Sequence, residues 1–479
     1  WEKAETCLLA LKQRGFHNRY LTMATMYHDL SGDWRQAWEF CKEWQKSLPD
    51  NLDAKRIGLS FIAKDQGVRA ALTEALALLE SHPGHEGLEG LILDYHEQLH
   101  EDKAIFNLIE TRLERNPDDA HMWRELAHRL LDDLDTQKLN KDLPEWQRLL
   151  EAVEHCQRTC PQQPATKSIL ARIAELEGRT DDAIALHLEV LSLDETYGYS
   201  MQMLWNLMAT QPADEQTRIR KAMIDYMLAG TGRLTMARFM AMQIAARMGL
   251  AAAEEALKEW AEQRPVDSLW YEAYADALLD YGEGQRDARR AVELLEEGIR
   301  EYPSEMGLRL SLCRCYNILT MVDEEIAAWE EILRRYPAHT EARIRLGRLK
   351  NLQNETEESQ AFGEKLLADG VLINPLDAEA WRAHGLYRWR QLGDPQSGIA
   401  IIAKGVAHMP QHVGLRQLLI DLYFELNQPD NALALAKEGT DIYPDGAFLW
   451  YLYGTTLRQS PDVVISEVEQ ALKKALELN

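Results

Sequence analysis

Apolar residues recur at helical spacing in short paired segments along the whole chain. Between positions 377 and 410, Trp381 and Gly385 lie four apart, a Gly-Asp-Pro break follows, and Ile399 and Ile402 resume the pattern. Spacings of three and four residues place side chains on one face of an α-helix, while glycine and proline mark turns. Each pair of segments therefore predicts two amphipathic helices joined by a tight turn.

Proline gives this pattern its period. Ten of the 16 prolines are regularly spaced: members of this set lie 34 and 34 residues apart from Pro49 to Pro117, and 38, 34, 38, 35 and 34 apart from Pro265 to Pro444. A proline cannot continue a helix, because it has no backbone N–H and its ring collides with the preceding turn. The period predicts a repeating unit of helix, turn, helix and turn. Ten prolines carry it: Pro49, Pro83, Pro117, Pro161, Pro265, Pro303, Pro337, Pro375, Pro410 and Pro444.

The repeating unit resembles that of the tetratricopeptide repeat family, a helix–turn–helix of 34 residues. The resemblance rests on a large residue early in the first helix, a following Leu-Gly or Leu-Ala pair, a small residue in the second helix and the closing proline. It implies an all-α fold, a right-handed α-solenoid of tetratricopeptide helix–turn–helix repeats. The matching residues are Trp123, Leu126, Ala127, Tyr316, Leu346, Gly347, Trp381, Gly385, Trp450, Tyr453 and Gly454, with Ala37, Ala183, Ala291 and Ala432 at the small position.

The period divides the chain into about thirteen units after a half unit at 1–15. Trp1 and Ala4 match Trp34 and Ala37, so the chain begins inside a second helix, and we expect it to be a segment of a longer protein. We predict three regions, 1–195, an irregular 196–265 and 266–479. The units are 16–49, 50–83, 84–117, 118–161, 162–195, 196–230, 231–265, 266–303, 304–337, 338–375, 376–410, 411–444 and 445–479.

Composition and charge narrow the class of protein. The 479 residues are too many for one compact core, and no stretch approaches 18 uncharged apolar residues, so we expect no membrane insertion. The formal net charge of −25 argues against nucleic acid as a partner, because it repels phosphate backbones. The six cysteines lie within helical apolar patterns, as in a reducing compartment, and no secretory signal is visible. We therefore predict a cytoplasmic location, and a signal peptide ahead of residue 1 stays open.

The family resemblance also indicates where a partner would bind. It implies that the first helix of each unit lines a concave groove, and the groove candidate lies in residues 304–410. The planar guanidinium group of arginine can donate two hydrogen bonds to one carboxylate, and asparagine amides can hold an extended peptide backbone. The expected partner is therefore a protein or an acidic peptide, including a C-terminal carboxylate. The alternative is that these arginines are solvated and pair with glutamates of the outer helices. The predicted groove residues are Arg314, Asn317, Arg348, Asn351, Arg382, Trp389 and Arg390.

Methionine is concentrated where the repeat pattern fades. Nine of the chain's 15 methionines lie between Met201 and Met248. Methionine fills irregular gaps in cores and also forms adaptable binding surfaces. The segment is therefore either an irregular repeat core or a pliable surface or hinge that meets a partner.

No catalytic constellation, cofactor motif or metal site emerges from the sequence. Cys156 and Cys160 could supply half a zinc site, but no second pair completes it. We therefore predict a non-catalytic, protein- and peptide-binding scaffold that needs no cofactor. Two alternatives are a regulatory or sensor region of a larger multidomain enzyme or ATPase switch, with an intramolecular partner domain, and a cell-envelope scaffold for polysaccharide or lipopolysaccharide assembly.

Overall fold

Helices account for the regular secondary structure in the described part of the chain. The computed structural model describes residues 2–136, 141, 143–230, 234–353, 356–460 and 463–478, and within these ranges it contains no strand. The predicted all-α class is confirmed. The first fourteen helices are α1 (Glu2–Gln13), α2 (His17–Leu30), α3 (Trp34–Ser47), α4 (Leu52–Gln66), α5 (Val68–Ser81), α6 (Glu86–Gln98), α7 (Asp102–Arg115), α8 (Ala120–Thr136), α9 (Pro144–Thr159), α10 (Pro164–Leu176), α11 (Thr180–Leu193), α12 (Gly198–Met208), α13 (Ala213–Ala229) and α14 (Ala237–Met248).

The second half of the chain continues the same alternation, with one π-helical turn at Tyr387–Gln391 directly after α22. The remaining helices are α15 (Leu250–Gln263), α16 (Ser268–Tyr281), α17 (Gln285–Glu301), α18 (Met306–Ile318), α19 (Val322–Arg335), α20 (Thr340–Gln353), α21 (Glu357–Ile373), α22 (Ala378–Leu386), α23 (Pro395–His408), α24 (Val413–Glu425), α25 (Pro429–Ile442), α26 (Ala447–Gln459) and α27 (Ile465–Leu478).

Each predicted repeat unit contains one pair of consecutive helices. The unit 16–49 holds α2 and α3, the unit 445–479 holds α26 and α27, and α1 fills the half unit at the start. The pairing also continues through 196–265, where the sequence pattern is weakest, because α12 to α15 form two pairs there. The prediction of about thirteen helix–turn–helix units is confirmed.

A side-chain hydrogen bond closes the turn between units at repeat spacing. In three units a tryptophan Nε1–H donates to the carbonyl of the proline six residues earlier, at 2.7 to 2.8 Å. In two others an arginine Nη2 donates to the equivalent carbonyl, at 2.5 and 3.3 Å. These carbonyls lie between helices, and no backbone N–H of the described residues donates to them. The donors are Trp123, Trp381 and Trp450, and then Arg343 and Arg416.

The chain forms two compact units. Unit 1 comprises Trp1–Ile105 and Trp329–Asn479, which we call the N-terminal arm and the C-terminal arm, and unit 2 comprises Phe106–Ala328. The core of unit 2 includes five of the nine clustered methionines, each at most 2% exposed. Core packing therefore accounts for these five, which are Met201, Met208, Met223, Met227 and Met240.

Candidate functional site

The predicted groove residues lie in both compact units, and their surroundings differ. Arg314 and Asn317 belong to unit 2. Asn351 lies near the end of α20, and its side chain is outside the described residues. The others belong to the C-terminal arm of unit 1, and they are Arg348, Arg382, Trp389 and Arg390.

Two of the predicted residues, Arg348 and Arg382, line one cavity of about 390 Å³ in the C-terminal arm. The cavity lies between α20 and the start of α22, the first helices of two consecutive units. Asp377 caps the start of α22, because its carboxylate accepts the backbone N–H groups of Glu379 and Ala380 at 2.9 and 3.3 Å. The lining residues are Thr340, Glu341, Ile344, Arg345, Arg348, Asp377, Glu379 and Arg382.

Arg382 is already paired at the edge of this cavity. Its Nε and Nη2 atoms each lie 2.5 Å from an oxygen of Glu379, a two-point contact within one helical turn. Hydrogen bonding to Glu379 raises the pKa of Arg382 above its usual value. Arg345 makes a looser contact, with its Nε 3.6 Å from Glu341 Oε1. These two guanidinium groups therefore face the cavity with part of their charge already compensated.

Arg348 is the exception among the cavity's arginines. Within the described part of the chain, no hydrogen bond or ion pair to its guanidinium is recorded. Burial, followed by the neighbouring positive charge of Arg382, lowers the pKa of Arg348 below its usual value. Arg348 is nevertheless exposed to solvent. An incoming negative charge would be favourable at this position, because it would lie between two like charges, those of Arg348 and Arg382.

Arg314 lies in a different environment, inside an acidic network of unit 2. Its Nη1 is 3.1 Å from Asp276 Oδ1, and it also pairs with Asp280. Asp276 is 2% exposed and lies 2.6 Å from Arg238 Nε as well, and burial raises the pKa of this carboxyl. Asn317 Nδ2 donates to Glu325 at 3.3 Å. Arg314 therefore pairs with aspartates of α16, the first helix of the preceding unit, and not with the outer-helix glutamates of the alternative interpretation.

Trp389 and Arg390 lie in the π-helical turn. The indole of Trp389 packs against the hydrophobic cluster of α23 that includes Ile399 and Ile402. Arg390 Nη2 lies 3.5 Å from Glu425 Oε1. The wider π-turn follows from the bond of Leu392 N–H to the Tyr387 carbonyl, five residues back, which a pattern of period 3.6 does not predict. The role of Trp389 and Arg390 as partner-binding residues stays a prediction.

The sequence interpretation missed several residues that line the cavity. Arg345 belongs to the same basic run as Arg348, and this run was the signal that could have identified it. The acidic lining residues Glu341, Asp377 and Glu379 gave no such signal, because acidic residues are common throughout this chain. Whether they meet an arginine depends on the packing of α20 against α22.

A buried chain of polar groups elsewhere has the geometry of a hydrolase triad. His187 Nδ1 lies 2.9 Å from Ser200 Oγ, and its Nε2 lies 2.6 Å from Glu175 Oε1. However, Ser200 and His187 are both 0% exposed, so a substrate could not reach the hydroxyl. The chain satisfies polar groups between α10, α11 and α12, and its role is structural.

Three cysteine thiols have raised pKa values because they are buried. Burial raises the pKa of Cys41 and Cys315 to about 12, and that of Cys156 to about 11, so these thiols stay protonated near neutral pH. Across the described ranges, no group of three or more His, Cys, Asp or Glu side chains could hold a metal ion. No described helix is both long enough and apolar enough to cross a membrane.

Comparison with solved structures finds helical repeat proteins. A tetratricopeptide repeat protein from Parabacteroides merdae is 15% identical with a TM-score of 0.32, and the match covers 50% of this chain and 97% of that one. A thermophilic tetratricopeptide repeat protein from Thermus thermophilus is 21% identical, with a TM-score of 0.27 and coverage of 40% and 93%. The APC/C hetero-tetramer Cut9–Hcn1 is 12% identical, with a TM-score of 0.29 and coverage of 91% and 95%.

The repeat type follows from the chain itself. Thirteen helix pairs recur at the spacing of the prolines, with the tryptophan or arginine cap at the turns between units. The fold is a tetratricopeptide-type array of helix pairs. No family model matches the sequence, and no curated protein matches it.

Proposed function

We propose that this tetratricopeptide-type array is a non-catalytic scaffold that binds an acidic peptide segment of a protein partner in the cavity between α20 and α22. The observation that supports the proposal is Arg348, a guanidinium without a recorded partner among the described residues, in a cavity of about 390 Å³. Arg345 and Arg382 flank it, each paired with a glutamate of its own helix.

The cavity favours one carboxylate rather than two. A single carboxylate on Arg348 would gain a charge-assisted hydrogen bond and would lie between two further guanidinium groups. A second carboxylate would have to compete with Glu379 for Arg382. Ile344 also lines the cavity but is only 6% exposed, so the accessible lining is polar and charged. The expected ligand is therefore one Asp or Glu side chain, or a terminal carboxylate.

The test uses the whole chain and an array of synthetic peptides whose Asp and Glu content varies from none to half, each made with a free and an amidated carboxyl end. We expect peptides without any carboxylate not to bind, and one acidic side chain or one free carboxyl end to be enough for binding, with little gain from further acidic residues. Arg348→Glu should weaken the best binders by about tenfold to a hundredfold, since a charge-assisted hydrogen bond contributes about 1.5–3 kcal/mol. Fluorescence anisotropy titrations measure the change.

Arg334→Glu is the matched control, because Arg334 is an exposed arginine of α19 that does not line the cavity. It makes the same change in charge and should alter affinity by less than about twofold. The proposal is wrong if no peptide binds, or if the strongest binders lack acidic groups or bind the Arg348→Glu variant equally well. If amidation of the carboxyl end and neutralisation of the acidic side chains reduced the affinity equally, no single carboxylate would account for binding. That result would also contradict the proposal.

A further inference from the structure

The two arms of unit 1 meet where helices end. Trp34, the first residue of α3 in the N-terminal arm, donates its Nε1–H to the carbonyl of Leu372 at 2.7 Å. Leu372 lies in the last turn of α21, where backbone carbonyls have no partner within the helix. Trp34 is 3% exposed, so this hydrogen bond is shielded from water. A side chain of one arm thus caps a helix of the other.

The same arrangement recurs in the opposite direction one repeat further along. His408, at the end of α23 in the C-terminal arm, has its Nε2 3.0 Å from the carbonyl of Lys64. Because a carbonyl can only accept, the imidazole Nε2–H is the donor. Lys64 lies in the last turn of α4, again among carbonyls without a helical partner. Each arm therefore caps a helix end of the other.

A third contact completes a regular series. Lys103 Nζ lies 3.1 Å from Asp445 Oδ2, where α7 begins in one arm and where the turn before α26 lies in the other. The three contacts join residues 338, 344 and 342 positions apart in the sequence. A nearly constant separation means that the arms advance in the same direction and meet unit by unit.

The turn that makes the first of these contacts also packs close to the starts of α20 and α22, the helices that line the candidate cavity. Gly32, with a φ of +87°, packs so closely that a Cβ there would lie 3.2 Å from Ile373 Cγ2 and 3.4 Å from Ala338 Cβ. Ala338 precedes α20 by two residues, and Ile373 closes α21 just before the turn into α22. The turn of Gly32 and Trp34 therefore touches both turns from which the cavity-lining helices start.

We infer that the reciprocal caps of Trp34 and His408 hold the two arms together and fix the spacing of α20 and α22 at the cavity. Trp34 and Gly32 are positioning residues in this arrangement. This inference concerns the shape of unit 1 and does not depend on which ligand the cavity binds.

Hydrogen exchange of the whole chain tests the inference without any ligand. In Trp34→Phe an aromatic ring stays, while the Nε1–H donor and part of the indole volume are lost; the control Trp38→Phe loses the same volume. We expect amides of residues 367–374 to exchange about threefold to tenfold faster, the range set by the net contribution of one hydrogen bond. Amides at the start of α20 and α22 should exchange faster as well. A role confined to the local packing of α3 would leave exchange unchanged at all three places, residues 367–374 and the starts of α20 and α22.

Two further variants complete the test. Trp38→Phe alters the same helix, but Trp38 packs on Phe61 of its own arm, so exchange at 367–374 should stay at the wild-type rate. His408→Phe should accelerate exchange at residues 61–67, in the arm that His408 caps. The inference is overturned if neither Trp34→Phe nor His408→Phe changes exchange in the opposite arm. It is also overturned if protection at 367–374 falls on dilution together with a change from dimer to monomer mass, because the contact would then join two copies.

Discussion

At the scale of the residue, Arg416 shows how a charged side chain is accommodated inside a helical array. It is 1% exposed, and its Nη1 donates to the Leu435 carbonyl at 2.7 Å and to Glu438 at 3.0 Å. Its Nη2 donates to the Pro410 carbonyl at 3.3 Å, at the position where other units use a tryptophan. The guanidinium thus supplies the cap between units and also pairs with Glu438, whose side chain is 55% exposed.

We predict that Arg416→Met destabilises the fold by about 1–3 kcal/mol, because the Pro410 carbonyl loses its donor and Glu438 its partner while the apolar stem is kept. Urea unfolding followed by circular dichroism measures the change in the free energy of unfolding. Arg334→Met, at an exposed arginine, should stay within about 0.5 kcal/mol of wild type. Equal stability of the two variants would contradict this account.

His384 makes the free energy of unfolding depend on pH. Burial, reinforced by the charge of Arg388, lowers its pKa from 6.5 to about 4, and no hydrogen-bond partner of its Nε2 is found among the described residues. Between these two values the unfolded chain binds a proton that the folded chain does not. The free energy of unfolding should therefore fall as the pH decreases from about 6.5 to about 4.

In His384→Leu this proton uptake is absent, so the variant should lose less stability than wild type between pH 7 and pH 5. Urea midpoints at the two pH values measure the difference. His121→Leu, at an exposed histidine, serves as the control and should keep the wild-type dependence. An unchanged pH dependence in His384→Leu would show that His384 is protonated in the folded state.

At the scale of the element, paired glycines bring the two helices of a unit into backbone contact. A Cβ at Gly398 would lie 2.7 Å from the Gly385 carbonyl and 2.8 Å from Trp389 Cβ. The preceding unit repeats this geometry, since a Cβ at Gly363 would lie 2.7 Å from the Gly347 carbonyl. α20 packs on α21, and α22 on α23, at distances that a methyl group does not allow.

We therefore predict that Gly398→Ala destabilises the chain by about 1–3 kcal/mol, because a backbone carbonyl cannot rotate away as a side chain could. Thermal and urea unfolding measure the loss. Gly90→Ala is the matched control, since Gly90 lies within α6 and a Cβ there would meet no atom within 4 Å. That variant should be neutral or gain up to about 1 kcal/mol from helix propensity. A stabilised Gly398→Ala would show that α22 and α23 can separate without loss.

At the scale of the whole molecule, the sequence predicts the structural features that depend on residues close to one another in the chain. The thirteen helix pairs follow from apolar spacing and prolines within about 34 residues, and the structure contains all of them. The same repeat frame places Arg348 and Arg382 one unit apart, and both line the cavity. Local periodicity is enough for these features because each unit packs mainly on the next.

Features that depend on distant or irregular packing were not predictable in this way. The partner of Arg314 is Asp276, 38 residues away, and nothing in an acidic chain distinguishes this aspartate from the others. Trp389 follows a π-turn that shifts the register of the helix. The contact of Trp34 with Leu372 spans 338 residues, and it pairs a side chain with a backbone carbonyl that has no sequence signature.

Because the two arms contact each other at regular intervals, the length of each turn in one arm is restricted by the other arm. The caps at Trp34 and His408 are one repeat apart, so both can form only while the two arms advance by equal steps. One extra residue between α3 and α4 would leave the first cap in place and displace the second. Insertions in those turns are thus restricted by a surface more than 330 residues away, whereas whole repeats could be added beyond the contacts at little cost.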